Sequence, residues 1–446
     1  MTKGKQLELP GTRVKGRKIS LDFQGADVTS DAGLMLLRAA EERIGIFSRV
    51  EGGIVDKRQP TKLIHKASTM MRQRVMAIAA GYEALNDADT LRYDPLHPSS
   101  ANTDTQMAST ATLCRFEQQQ DHSTAWAVNA ALVDTFIARQ KERHRDTVPK
   151  ELILDFDATD DPVHGEQQGR FFHGYYGHYC FLPLYVFCGE HLLCAYLRQA
   201  NQDAATHSAA ILKLLVQRLR QEWPNVRIIF RADSGFCRER TLSWCDRNHV
   251  DYVVGLAKNP ALFREAALYM EWAEAKALHN KTKERIYGGV IYGAATWSCK
   301  RHVIVKAEHG PQGSNPRFVV SSLSDPKFDD KDVYEKVYCA RGEMENRIKE
   351  QLQLFSDRTS SEGWWTNQWR MLLSALAYTI TQALREIGLS GTELCCAQCS
   401  TIRSKLIKVG AVIVRNSRRI HLSLSSGYPL QSLWLRIAGN LNIRPG

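Results

Sequence analysis

In the stretch ELILDFDATD, residues 151–160, side chains alternate: Ile153, Asp155 and Asp157 fall on one face, Leu152, Leu154 and Phe156 on the other. This pattern is a strand that bears acids, and a strand needs partners. They follow directly. FLPLYVFC and HLLCAYLRQ, joined at Gly189-Glu190, read as a hairpin, with Pro183 suited to an edge or a strand start. HSAAILKLLVQRLRQEW has the apolar spacing of a helix, and the apolar run VRIIF leads into Arg231-Ala232-Asp233. CRERTLSWCDRNH then reads as a helix and DYVVGLA as a further strand. The succession is a three-stranded meander extended by helix-linked strands, a mixed α/β layer architecture.

Ribonuclease H-like domains are built in that order, so the expected fold class is α/β with such a core. The flanks read differently. Residues 1–18 carry Lys3, Lys5, Arg13, Lys15, Arg17 and Lys18 against Glu8 and read as a mobile basic arm. Ser30 is a plausible N-cap before DAGLMLLRAAEERIG, and TKLIHKASTMMRQRVMAIAAGYEAL is a longer helical stretch. LRYDPLHPSSANTD reads as a loop, after which STAWAVNAALVDTFIARQKERHR is helical again. Three regions are expected: 1–148, α-helical with a basic arm; 149–390, the α/β domain; and 391–446, a small basic C-terminal region with the β-like runs LIKVGAVIVR and RRIHLSLSS. Within the second, RHVIVKAEHG and RFVVSSLS mark residues 259–332 as a β-rich insertion, and a helix starts after Arg341-Gly342. No internal repeat is visible.

At 446 residues the chain has room for about three structural units. Its 43% hydrophobic and 24% charged residues are a globular balance and argue against disorder. The net charge of +11 points to a polyanionic partner without naming it. No apolar run reaches the roughly 18 residues needed to span a bilayer, and MTKGKQLELPGTRVKGRK lacks the apolar core of a signal peptide. A cytoplasmic protein with no membrane partner is the expectation. Eleven cysteines, among them Cys180, Cys188, Cys194, Cys237, Cys245 and Cys339, read as small buried thiols in a reducing compartment rather than a disulfide framework.

Phosphoryl transfer on a nucleic acid uses two divalent metals about 3.5–4 Å apart with carboxylates as hard oxygen ligands, so the fold must gather about three acids. Asp157 ends the first strand and Asp233 ends the strand after the long helix; they are neighbours if those strands pair. Glu345 comes from a later helix. A single acid at a strand end is most simply a solvated surface group. Three in matched positions weaken that explanation. Asp155 shares a face with Asp157 and remains its rival, with Asp160 and Asp161 close behind. Glu343 is the rival of Glu345, but two residues apart do not share a helix face.

DFDATDDPVHGEQQG, RADSGF and YCARGEMENRIKEQLQLFSDR resemble the motifs of bacterial insertion-sequence transposases with an Asp-Asp-Glu triad. GYEALNDADTLRYDPL, STATLCRFE and NQWRMLLSALAYTI extend the likeness over about residues 20 to 430. The resemblance is to the insertion-sequence family numbered thirteen-eighty, a relative of the fourth-numbered one. It implies a ribonuclease H-like catalytic domain with a β-rich insertion before the glutamate, and it matches Asp157, Asp233 and Glu345 to the catalytic, metal-binding acids. In related transposases the third motif is a tyrosine, an arginine, the glutamate and a lysine. Tyr338 and Arg341 fit it as DNA-contacting residues. Leu352 occupies the lysine position, and Lys349, one turn after Glu345, is the nearest basic substitute. Arg341, Glu345 and Lys349 would equally make an ordinary ion-pair ladder on a helix.

The implied activity is DNA transposition: binding of terminal inverted repeats, strand cleavage and strand transfer, with Mg²⁺ or Mn²⁺ as cofactor. The implied partners are double-stranded DNA, as element ends and target, and a second copy in a homodimer on the DNA. A regulatory protein that binds ends without cutting, or a nuclease that joins nothing, are the alternatives. Arg72, Arg74, Arg92 and Arg115 make the N-terminal region the expected place of end recognition. Cys395, Cys396 and Cys399 form one CxxC without a second pair at zinc-site spacing, and read as thiols in a packed segment. His164 and His173 flank the acidic motif and read as structural. Trp364, Trp365 and Trp369 read as core, or as platforms for an unpaired base.

Overall fold

The computed structural model describes residues 7–59, 61, 63–144, 147–324 and 329–443. Contacts divide the chain into two compact units. One combines Met1–Arg43, Gln59–Arg115 and Ala383–Gly446; the other combines Ile44–Arg58 and Phe116–Gln382. This division differs from the linear one expected at residues 148 and 390.

In the first unit, β1 (Leu7–Val14) and β2 (Arg17–Leu21) form an antiparallel hairpin turning at Lys15 and Gly16, both with positive φ. The expected mobile arm is therefore paired backbone from Leu7 onward; Lys3 and Lys5 lie outside the described residues. β3 (Val28–Thr29) pairs with β16 (Ala411–Arg415), which pairs with β17 (Ile420–Leu424). The terminal region is thus no separate piece. Ala32 and Leu96 are buried with Val409, Ala411 and Ile413 in one apolar cluster that neither segment could build alone. Gly33 allows the close approach: a Cβ there would lie 1.9 Å from the Leu406 carbonyl oxygen. Asp31, fully buried beside it, is met by Tyr82 Oη at 2.7 Å, His97 Nε2 at 2.9 Å and Lys408 Nζ at 2.8 Å.

The second unit is organised by a nine-stranded mixed sheet. β4 (Glu151–Ala158) is its pivot. On one side it pairs antiparallel with β8 (Leu184–Cys188), which pairs with β9 (His191–Tyr196). On the other it pairs parallel with β10 (Arg227–Ala232), itself parallel to β11 (Asp251–Leu256). The helices Ser208–Glu222 and Glu239–Arg247 make the crossovers. Leu152, Leu154 and Phe156 are buried against Phe136, Leu215, Leu219 and Leu242 of the covering helices. The opposite face, with Ile153, packs on Val333 and Tyr334. A small separate sheet, β5 (Asp161–Pro162), β7 (His178–Phe181) and β6 (Phe171–His173), follows β4 immediately.

The segment expected as an inserted β-rich subdomain does carry four strands, but they extend the main sheet and are preceded by helices. It begins with two helices, Pro260–Glu265 and Ala267–Asn280, the first capped by the Asn259 side chain with Pro260 at its opening position. β12 (Glu284–Tyr292), β13 (Arg301–Gly310), with the short β14 (Gly313–Ser314) on it, and β15 (Arg317–Ser321) then join the main sheet, because β15 pairs antiparallel with β11. The edge that β11 would leave open is covered by chain that follows it. Beyond the insertion, Val333–Tyr338, Cys339–Arg341 and Gly342–Gln353 are consecutive helical segments wound with different pitch. Gly342 is helical, φ −55°, so the helix expected to start after Arg341-Gly342 instead continues from the segments before it.

Candidate active site

The site forms where β4 and β10 end side by side. Their register pairs Asp155 with Arg231 and Phe156 with Ala232, so Asp157 and Asp233 are the next two neighbours across the sheet. The alternation that buries Leu154 and Phe156 on one face puts Asp155 and Asp157 on the other, and the two have different partners. Arg231 forks onto Asp155, with Nη2 2.7 Å from Oδ2, and also donates to the Val337 carbonyl. Both side chains of that pair are buried. Asp155 therefore serves to tie β4 and β10 to the helical segment above them.

Asp157, also buried, accepts from its neighbour's amide, Ala158 N, at 2.9 Å and from Arg341 Nη1 at 2.9 Å. Burial raises its carboxyl to about 6; Arg341 opposes that rise, while the charges of Asp233 and Glu345 add to it. Asp233 caps a short turn, its Oδ1 accepting from Gly235 N at 2.8 Å. Glu345 lies in the first turn of the Gly342–Gln353 helix, 57% exposed, with Oε1 3.8 Å from Arg341 Nη2. Burial tends to lower the Arg341 pKa, but Asp157, Tyr338, Asp233 and Glu345 together raise it. One guanidinium thus compensates all three acids that the sequence singled out.

Tyr338 ends the segment above the sheet. Gly255, one residue from the end of β11, leaves room for it: a Cβ at that position would lie 2.7 Å from Tyr338 Oη and 2.8 Å from the Ser234 amide nitrogen. Lys349 is exposed one turn beyond Glu345, and Glu343 is exposed as well. Arg231 and Gly255 are the residues that sequence reasoning passed over. Both left signals: Arg231 shares a strand face with Asp233, and a glycine inside an apolar strand marks close backbone approach.

The remaining acids near the strand end are engaged elsewhere. Asp160 Oδ2 lies 2.9 Å from His178 Nε2. Asp161 accepts from Thr359 Oγ1 at 2.7 Å, and burial raises its carboxyl to about 8. His164 is exposed, and the His173 ring packs on Tyr176. Trp369 is buried edge-on to Phe116, Trp364 packs edge-on to Phe181, and Trp365 sits 6.0 Å from His122. Cys339, expected to be buried, is exposed, as are Cys395 and Cys396, while Cys399 is buried. Among the described residues, no three His, Cys, Asp or Glu side chains are arranged to enclose a metal ion. Asp157, Asp233 and Glu345 are carboxylates, the donor type that hard cations take, and Arg341 is their shared counter-ion.

The family described as transposase DDE domain, group 1, matches residues 12–444. Among solved structures, a cryo-EM structure of a piggyBac transposase synaptic complex with hairpin DNA is similar with a TM-score of 0.40 and 12% sequence identity, covering 85% of this chain and 80% of that one. No curated protein sequence matches. No helix among the described residues is long and apolar enough to cross a membrane. The family match runs over nearly the whole chain: the chain belongs to the transposase DDE domain group 1 family and is a DDE transposase.

Proposed function

We propose that this transposase binds the terminal inverted repeats of a bacterial insertion sequence, of the family numbered thirteen-eighty, and that Asp157, Asp233 and Glu345 carry out cleavage and strand transfer. The observation that carries the reading is the adjacency of Asp157 and Asp233 at the ends of paired parallel strands, with Arg341 linking Asp157 to Glu345. The order of β9, β8, β4, β10 and β11 in the sheet supports a ribonuclease H-like core. The three acids would hold Mg²⁺, or Mn²⁺ in its place. Such ions, when bound, stabilise the attacking and leaving oxygens of an in-line displacement at phosphorus.

The chain's own residues have separate tasks on this reading. Arg231 and Asp155 fix the strand ends, so that Asp157 and Asp233 keep their relative positions. Arg341 compensates the acids before DNA arrives, and with Tyr338 and Lys349 it is placed to contact phosphates. A second copy would hold the other element end, and the cationic excess of +11 suits such a polyanionic partner. The setting would be the bacterial cytoplasm, at the nucleoid.

Incubating the purified chain with labelled element ends, a target plasmid and Mg²⁺ tests the proposal. The expected products are a freed 3′ hydroxyl at the element boundary and end-to-target joints. Cleavage without joints would reduce the protein to a nuclease, and binding without cleavage would reduce it to a regulator.

A further inference from the structure

Four residues after Asp157 the chain enters β5 and then a hairpin whose strands are β6 and β7. Its sequence from residue 167 to 181, QQGRFFHGYYGHYCF, contains six Phe and Tyr rings and two histidines, with no Asp, Glu, Leu, Ile, Val or Met. A soluble unit normally turns such rings inward. Here Tyr175 is 86% exposed, Phe172 53% and Tyr179 49%. Phe172 and Tyr179 face each other across the strands with ring centroids 5.7 Å apart, and Arg170 lies over the Tyr179 ring at 4.8 Å. At the tip, Gly174 and Gly177 have nothing within 4 Å of where a Cβ would stand, so the rings border open space.

The hairpin is also fixed at its base. Phe181 packs on Trp364, and Gly169, at φ +84°, lies so close that a Cβ there would sit 2.6 Å from the Trp364 ring. Tyr176, between His173 and Tyr175, feels the charges of Asp160 and Asp157, and burial with those charges raises its hydroxyl to about 12. The tip is therefore a set of flat rings near the first acid, on a stem that does not depend on a ligand.

We propose that Phe172, Tyr175 and Tyr179 form a stacking platform for unpaired nucleobases of the DNA strand that emerges from the Asp157 site. Bases inside a duplex have their faces covered by neighbours, so exposed aromatic faces select single-stranded or frayed DNA. Arg170, which also pairs with the exposed Glu166, lies over the Tyr179 ring, so a guanidinium and flat aromatic faces stand together, the combination that holds single-stranded nucleic acid. The inference rests on the reading that the chain acts on DNA, and it adds a preference for unpaired strand next to the site.

The test uses the full chain in EDTA, so that no cleavage intervenes, with a blunt duplex and the same duplex carrying a short single-stranded thymidine tail in which one base is 5-iodouracil. The tailed DNA should bind more tightly, and irradiation should cross-link the tail to the peptide containing Phe172, Tyr175 and Tyr179. Phe172→Leu with Tyr175→Leu should lose about tenfold in affinity for the tailed DNA, the loss expected for removed base stacking, and leave the blunt duplex within about twofold. Tyr175→Phe, which keeps the flat ring, should bind as the parent does. Equal affinity for both DNAs, or cross-links confined to other peptides, would overturn the platform while leaving DNA binding intact. Failure to bind either DNA at low salt would overturn the underlying reading as well.

Discussion

Asp155 and Asp157 stand on the same strand face, two residues apart, yet Asp155 is held by Arg231 within the sheet while Asp157, on the proposed reading, does the chemistry. Asp155 is matched by Arg231 in a buried pair, so Asp155→Asn leaves a buried guanidinium without its counter-charge. A loss of about 3–5 kcal/mol in chemical denaturation is expected. Asp157→Asn should change stability by no more than about 1 kcal/mol, since burial already disfavours its charge. The alternation of ELILDFDATD made both acids legible as one face, but not their division of labour, which depends on Arg231 and Arg341 arriving from elsewhere in the chain. The third acid has the same character. Glu345 faces Arg341 and Glu343 does not, so Glu345→Gln should abolish end cleavage with end binding unchanged, while Glu343→Gln should keep most activity. The reverse ranking in a plasmid-excision assay would refute the helix register.

Among the elements, β4, β8, β9, β10 and β11 could be read from the sequence because each is a short apolar run between clear turns or helices. The insertion was read less well. Its helices are announced only by Asn259-Pro260, and strand pairing across some sixty intervening residues, β11 with β15, has no local signature. The close approach of β11 to the site makes Gly255→Ala informative. The added Cβ must push Tyr338 or the backbone at Ser234, so Asp233 shifts, and end cleavage should fall at least about tenfold with a stability loss of about 1–3 kcal/mol. Wild-type cleavage by this variant would mean that Asp233 tolerates displacement. In the other unit, the β3–β16 pairing was equally hidden, and its acid network has a pH signature. Burial would raise Asp31, but hydrogen bonds from His97, Lys408 and Tyr82 hold it at about 2, below its ordinary 3.8. A depressed folded-state pKa stabilises fully above the unfolded value and loses that effect as pH falls through the folded one. About 2 kcal/mol should therefore disappear between about pH 4 and about pH 2. Denaturation across that window should show the loss in the parent and much less of it in Asp31→Asn.

At the level of the whole molecule, one sheet carries the argument: its central parallel strands end in Asp157 and Asp233, and the helical run from Val333 to Gln353 lays Arg341 and Glu345 over them. The central claim is that these acids act together through divalent metal, and strand cleavage of a labelled element end measures it most directly. The parent should cleave with Mg²⁺ or Mn²⁺ and stop with EDTA. Asp157→Asn and Asp233→Asn should each bind the end normally and cleave at least about a hundredfold more slowly, because neutral amides are poor ligands for hard cations. Cleavage near the parent rate by either variant, or undiminished cleavage in EDTA, would contradict the assignment.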